Sequence, residues 1–414
     1  VTSTFTWVFL AAVALATMTR LWLAQRQIHH VRAHRGAVPP LFAESIPLAS
    51  HQKAADYTVV KSKLGMVETL LDAAILLILT LGGALQWLSD QWERIVPSSS
   101  LWHGISLILT VLFLRGLIGL PLSVYRIFGI EERFGFNRMT LRLFLTDLVK
   151  QVLVGIALGV PLLLVVLWLA QAAGPLWWLY AWLVLAAYSA FLQMIYPAVV
   201  MPLFNKFSPL SDPALAERVE RLLARCGFRS RGLYVMDGSK RSSHGNAFFS
   251  GFGAAKRIVL FDTLVSRLQP TEVEAVLAHE LGHYKLHHIL KGMLISWTFS
   301  FVLLYLLGQL AGREWFYEGL GMHTHTLPVA LLLFILVLPE FTFFLQPLLS
   351  LFSRRNEFEA DRYAAQYANA SELVRALVKL YNDNSATLTP DPLHSAYYDS
   401  HPPAAIRIAR LRTT

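Results

Sequence analysis

The chain holds one cysteine, Cys226, in 414 residues. A single thiol excludes an internal disulfide framework and any metal cage built from thiolates. Charge is also scarce. Asp, Glu, Lys and Arg make up 15% of the residues, and 55% are hydrophobic; an ordinary soluble domain carries about 25% charge. A mean hydropathy of +0.48 rules out intrinsic disorder, which needs low hydrophobicity and dense charge. The net charge of +9 lacks the clustered stripe of a nucleic-acid surface, because Arg20, Arg26, Arg32 and Arg35 are spread along the chain after the first apolar run. No nucleic-acid partner is expected. That first run, Phe5 to Ala16, has no basic residue before it and Arg20 after it, so the order of a cleavable leader is missing. Internal repeats and low-complexity linkers are missing too.

What the chain has instead is long apolar runs. A helix needs about 20 mostly apolar residues to cross a hydrocarbon core about 30 Å thick. Seven runs qualify: Phe5 to Leu23, Val67 to Leu88, Ile105 to Ile127, Val152 to Ala170, Leu176 to Leu203, Ile289 to Leu310 and Pro328 to Phe352. The 11 Trp residues suit a protein bordered by lipid headgroups. Lys and Arg collect in alternate connections. Arg26, Arg32, Arg35, Lys53, Lys61 and Lys63 follow the first run, and Arg133, Arg138, Arg142 and Lys150 follow the third; the connections between carry Arg94, nothing, and Arg313. Positive residues stay on the cytoplasmic side, which places the N-terminus outside and the C-terminus inside. The expected fold is therefore a mainly α, polytopic membrane protein. Residues 1–204 hold five spans and their loops, 205–288 the first part of a polar domain, 289–352 two more spans, and 353–414 the second part. Asp72, Arg115 and Glu340 fall inside spans, where charge faces a bundle interior or a water-filled cavity. Asp72 and Arg115 read equally well as a structural ion pair.

Chemistry concentrates between Pro270 and His283. Thr271 and Glu274 read as a capping box that starts a helix. On a helix, His279 and His283 share one face and Glu280 stands beside them, the H-E-x-x-H arrangement. The two imidazoles can bind one Zn2+, while Glu280 takes a proton from the metal's water and later passes it to a leaving amine. With 14 His in the chain, chance produces the pattern in about one or two chains in a hundred. His287 and His288 offer a competing pairing with His283, but they precede a span and have no Glu placed like Glu280, so they read as interfacial or solvated. No H-x-x-G-x-x-H continuation follows, so the third ligand has to come from elsewhere. Residues 353–361 read as a helix on which Glu357 and Asp361 share a face. Glu357 then completes the zinc site and Asp361 accepts the free N–H of a ligand histidine. Glu359 points about 200° away from Glu357. Without the His-Glu helix, Arg354, Arg355, Glu357, Glu359, Asp361 and Arg362 would read as a solvated, salt-bridged face.

Ser242 to Gly251 and Arg257 to Asp262 read as short strands. An exposed edge there would accept an extended peptide as one more strand; a plain hairpin packed on the helix fits the composition equally. His244 reads as a surface histidine.

Several blocks occur in a telling order: His51 to Thr58; Ile130 to Asn137 with Thr140, Phe144, Asp147 and Lys150; Ser243 to Phe248; His279 to His283; Arg354 to Asp361; and Leu388 to Leu393 with Ser400 to Pro403. Over nearly its whole length the chain resembles the integral-membrane zinc metallopeptidases of the CAAX prenyl protease family, the Ste24 type. The resemblance implies seven helices around a water-filled chamber, with a split α+β zinc domain closing its cytosolic end. It implies one Zn2+ held by His279, His283 and Glu357, with Glu280 as general base. By position, His401 and Arg407 match oxyanion-stabilising residues, and Asn246, with Ala247 and Phe248, lies on the substrate-binding edge strand. Apart from the resemblance, Arg407 reads as a surface arginine. Gly245 and Ser250 stand where bulkier or different polar residues are expected. The implied partners are peptide or protein substrates, lipidated or not, and membrane lipids. The Ala/Leu/Arg-rich composition looks bacterial, which points to an inner membrane, and the final residues carry no dilysine retention signal. Prenylation is not expected in a bacterium, so the natural substrate stays open. Two alternatives accompany this expectation: membrane-protein quality control, and a noncatalytic seven-span receptor or transporter, which would have no use for Glu280.

Overall fold

In the computed structural model, residues 2–228, 232–250 and 257–413 are described, with the backbone alone at Phe249 and Ser250. The first part of the chain is helical: α1 (Thr2–Ala33), α2 (Leu48–Leu79), α3 (Ala84–Glu93), α4 (Leu101–Val124), α5 (Leu141–Ala172) and α6 (Trp177–Ile195). Next come strand β1 (Phe207–Pro209), α7 (Pro213–Arg225), β2 (Leu233–Met236), β3 (Ala247–Ser250), β4 (Arg257–Phe261) and α8 (Pro270–Lys285). After α9 (His288–Leu310) and α10 (Leu327–Thr342), four helices close the fold: α11 (Gln346–Tyr367), α12 (Ala370–Asp383), α13 (Pro392–Tyr398) and α14 (Ala404–Leu411).

Among the described residues, six helices are long and apolar enough to cross a membrane, and the bent pair α2 and α3 makes a seventh span when taken together. The expected run from Val67 to Leu88 is thus not one straight helix. It turns by 52° at residues 80–83, where Thr80 ends α2 and Gly83, with a left-handed φ of 74°, stands immediately before α3. Gly321 presses on the same break: a Cβ there would sit 2.6 Å from the Thr80 carbonyl oxygen. The last span also differs from a simple rod. After a single tight turn at Phe343–Leu345 the chain continues as α11, so the boundary drawn at residue 352 falls inside a helix that runs on toward the polar domain.

Helices α1, α2 and α5 each have 32 residues, about 48 Å at 1.5 Å per residue, and so project well beyond the hydrocarbon. Their packing is sparse. In five of the six apolar helices only 6–22% of the most apolar stretch is buried, against 44% in the one that begins at Leu327. A solid bundle would bury a full face of each helix; a ring around a water-filled chamber does not. The charges inside spans agree. Arg115 and Asp72 are 3.3 Å apart with side chains 39% and 65% exposed, which a membrane span tolerates only beside water. Glu340, by contrast, is held by Arg20 at 2.7 Å, with the guanidinium over the Phe343 ring. One end of the bundle is closed by a core that includes Phe9, Leu107, Tyr317 and Leu333, each such side chain contributing about 1.5–3 kcal/mol by burial.

The polar domain is a small mixed sheet backed by helices. The strand order is β1-β2-β4-β3; β2 runs parallel to β4, with Tyr234 opposite Val259, and β3 runs antiparallel to β4, with Ala247 opposite Leu260. β3 is therefore an edge. In α7, Asp212 caps the first turn through the Ala214 and Leu215 N–H groups, and Leu215, Val219, Leu222 and Leu223 form one apolar stripe. That stripe joins a core with Ile258, Leu260, Leu277 and Leu281. Ala364, Leu373 and Leu411, which follow the last span, pack into the same core.

Candidate metal centre

Helix α8 starts with a capping box, two residues earlier than the sequence led us to expect. Pro270 occupies the first helical position, where its missing N–H costs nothing, so Gln269 becomes the cap and its N–H donates to Glu272 at 2.7 Å. Thr271 donates instead to Glu372 at 3.0 Å. Glu274 is held by Arg218 at 2.6 Å and by Arg225. Beyond this start the helix is buried almost all round, from Val273 through His279 and again at Leu281 and Gly282. Gly282 lets α11 approach: a Cβ there would lie 2.9 Å from the Ala360 Cα. Glu357 and Asp361, on either side of Ala360, then face His279 and His283.

The His279 Nε2 and Glu357 Oε2 atoms are 3.5 Å apart, and His283 Nε2 lies 3.3 Å from Glu357 Oε1. The two histidine Nε2 atoms are 3.1 Å apart. All three residues offer ligand atoms within 4.8 Å of one another. Glu357 Oε2 is buried without a well-formed hydrogen bond, its nearest donors being His279 Nε2 at 3.5 Å and Arg407 Nη1 at 3.6 Å, which leaves its lone pairs available to a cation. Two imidazoles and one carboxylate with a further position open are the donor set of a catalytic zinc. The residues fit a metal.

Behind this face lies a buried charge network. His279 Nδ1 is 2.9 Å from Asp361 Oδ1. Arg407 donates to both Asp361 oxygens, at 2.7 and 2.8 Å, and its Nη1 lies 3.6 Å from Glu357. Arg407 is only 5% exposed, so it is no surface arginine. Burial and Arg407 push the His279 pKa down, but the hydrogen bonds to Asp361 and Glu357 win and lift it to about 9. Burial pushes Glu357 up, and its two histidine partners more than reverse this, holding it far below the usual carboxylate range. For Glu280 burial dominates and raises the pKa, against the opposing pull of His279 and His283. His401 lies 3.3 Å from Glu357 through Nε2 and opens on a cavity of about 300 Å³ lined also by Tyr381, Asp399 and Ala404.

The edge strand is shorter than expected. Residues 242–246 approach it as a loop, the strand itself begins at Ala247, and Gly251 lies outside the described residues. Asn246 sits at its foot, where its carbonyl accepts from Phe261 N–H at 3.0 Å. Ala247 is buried, and the Phe248 ring meets Phe261 edge-on. His244 is not a free surface group: its ring stacks on Phe136 at 4.6 Å and reaches Asn384 at 3.1 Å. The sequence blocks around 51–58 and 130–137 converge there. Tyr57 donates to Glu131 at 2.6 Å, and Ser243 N–H donates to the Phe136 carbonyl. Arg241 binds Asp147 through two nitrogens. A carbon added at Gly245 would rest on Leu264 at 3.5 Å, ordinary contact, so the position has room; the Ser250 side chain lies outside the described residues.

One pair escaped the sequence. His287 is exposed as expected, but His288 is buried, with Nδ1 3.0 Å from His283 Nδ1 and Nε2 3.2 Å from Glu359 Oε2. The cause is His287, whose left-handed φ of 58° breaks the helix and swings His288 back over α8. Helical phase alone places His288 away from His283; only the break brings it there.

A metal-binding helix of this kind, closing a ring of membrane spans, defines an integral-membrane metallopeptidase. Residues 27–206 match the family described as CAAX prenyl protease N-terminal, five membrane helices, and residues 209–414 match peptidase family M48. The CAAX prenyl protease 1 homolog of Arabidopsis thaliana is 34% identical over 390 residues, covering 90% of this chain and 89% of its own length. The Homo sapiens homolog is 32% identical over 456 residues, covering 98% and 95%. The crystal structure of S. mikatae Ste24p superposes with a TM-score of 0.93 at 30% identity, over 98% of this chain and 99% of that one. The chain belongs to the CAAX prenyl protease family of M48 metallopeptidases, and a noncatalytic receptor or transporter is set aside.

Proposed function

We propose that the protein is a zinc endopeptidase that removes C-terminal residues from CAAX-type proteins or cuts peptides of similar kind, lipidated or not. The relatives' names carry the substrate class, and the convergence of ligand atoms of His279, His283 and Glu357 within 4.8 Å of one another carries the chemistry. Zinc held there would supply a Lewis acid that polarises the scissile carbonyl and lowers the pKa of an attacking water toward about 7. Glu280, its basicity raised by burial, takes that water's proton and delivers it to the leaving amine. His401 Nε2 and Arg407 Nη1, 3.3 and 3.6 Å from Glu357, would supply donor groups for the developing oxyanion, with the rest of the Arg407 guanidinium clamped on Asp361. Asn246, Ala247 and Phe248 offer the substrate backbone an open strand edge.

The proposed orientation keeps the metal domain cytosolic and the N-terminus outside, in a bacterial inner membrane. Arg26 after the first span pairs with Asp391, and Asp147 after the third span pairs with Arg241 of the polar domain, which supports this orientation. Lipids surround the spans. The deciding experiment is cleavage of an unstructured or CAAX-type peptide by purified protein. Chelation and Glu280→Gln are each expected to abolish cleavage, while Glu280→Gln keeps its zinc and Glu357→Ala loses it. Full activity of Glu280→Gln would overturn the mechanism.

A further inference from the structure

We infer that His288 and Glu359 act as a positioning pair that fixes which nitrogen of His283 faces the metal. The inference rests on His283 being a zinc ligand. His279 and His283 differ on their far sides. His279 Nδ1 meets the Asp361 carboxylate directly, whereas His283 Nδ1 meets another imidazole, His288, at 3.0 Å. Two ring nitrogens at that distance need one hydrogen between them, and a neutral imidazole has only one to give.

Only one placement satisfies the whole chain. If His283 presents a lone pair at Nε2, its hydrogen is on Nδ1 and points at His288 Nδ1, which must accept. The hydrogen of His288 is then on Nε2, 3.2 Å from Glu359 Oε2, and the series ends on an anion. Lys291 and Arg355 hold that anion, at 3.7 and 3.2 Å. The reverse placement fails at both ends. It puts a hydrogen on His283 Nε2, where the metal would bind, and it leaves the His288 Nε2 lone pair facing a carboxylate oxygen. The network therefore selects the metal-binding tautomer of His283, as a carboxylate does when it contacts a ligand histidine directly.

Glu359 is thereby given a role without being a ligand. It lies on the opposite side of α11 from Glu357, and α11 thus supports both histidines. Asp361 serves His279 from one face, and Glu359 serves His283 through His288 from the other. The left-handed His287 is what allows this, because it returns the chain to α8 within five residues of the ligand.

The test compares wild type, His288→Phe and His288→Asn by competition for zinc with a chromogenic chelator, alongside thermal melts of the metal-free proteins. The asparagine introduced by His288→Asn can present its side-chain oxygen to His283 Nδ1–H, and a phenylalanine cannot. We expect His288→Phe to bind zinc about 10–100-fold more weakly, His288→Asn to recover most of the loss, and the metal-free melts of the two variants to agree. Unchanged zinc affinity in His288→Phe would overturn the inference, and so would equal loss in both variants, which would mean that the ring only fills space. Absence of zinc from the wild type would instead overturn the metal reading itself.

Discussion

Gly282 and Ala360 meet backbone to backbone, and the metal centre depends on that approach. A Cβ at 282 would lie 2.9 Å from the Ala360 Cα and 3.1 Å from its carbonyl oxygen, atoms that move only if a helix moves. Gly282→Ala is therefore expected to separate α8 from α11 and draw Glu357 away from the two histidines. The strain costs about 1–3 kcal/mol, read in thermal melts, and zinc content after gel filtration should fall with it. Wild-type zinc content in a stable variant would contradict the point.

Asp361 and Arg407 form a buried pair with two parallel hydrogen bonds. Removing one partner strands the other. Asp361→Ala is expected to destabilise the metal-free protein by about 3–5 kcal/mol. Arg407→Lys should not restore wild-type stability, because an ammonium cannot reproduce the guanidinium fork. Melting curves with and without chelator separate this effect from metal loss.

Burial raises the Asp391 pKa, but the hydrogen bonds from Arg26 and from the His394 N–H pull it below the ordinary aspartate value. A depressed carboxylate stabilises the fold above its unfolded pKa, and that stability disappears as pH falls through the folded value. Docking of α13 on α1 should hold at neutral pH and weaken below about pH 4. Arg26 lies over Trp22 at 5.3 Å, so Trp22 emission can follow the change, compared against Arg26→Met. Coincident titrations of the two proteins would argue against it.

Backbone recognition at β3 can be tested on the substrate. N-methylation at alternate residues should impair cleavage strongly in one phase of the alternation and little in the other. At about 0.5–1.5 kcal/mol per hydrogen bond, two blocked bonds cost roughly tenfold. Equal sensitivity in both phases would mean that the peptide is not held as a strand.

Local features were legible in the sequence, and features that depend on breaks were not. Apolar length identified the membrane runs, and the four-residue periodicity put His279 beside His283 and Glu357 beside Asp361. The bend at residues 80–83 was hidden because the hydropathy of the run continues across it. The cap of α8 was misplaced because Pro270, and not Thr271, decides where the helix begins. His288 was hidden by a left-handed residue that no periodicity announces. The pairing of Asp361 with Arg407 joins residues 46 apart, a contact that only the folded α11 and α14 create.

The edge position of β3 has a consequence for where bonds are cut. Side chains of a strand alternate between two faces, so a peptide that slips by one residue turns every side chain to the opposite face, and a slip by two restores the original pattern. A peptide of alternating residues laid along β3 would therefore fit in registers two residues apart. On a substrate in which two residue types strictly alternate, the fragments should form a ladder with every second rung strong.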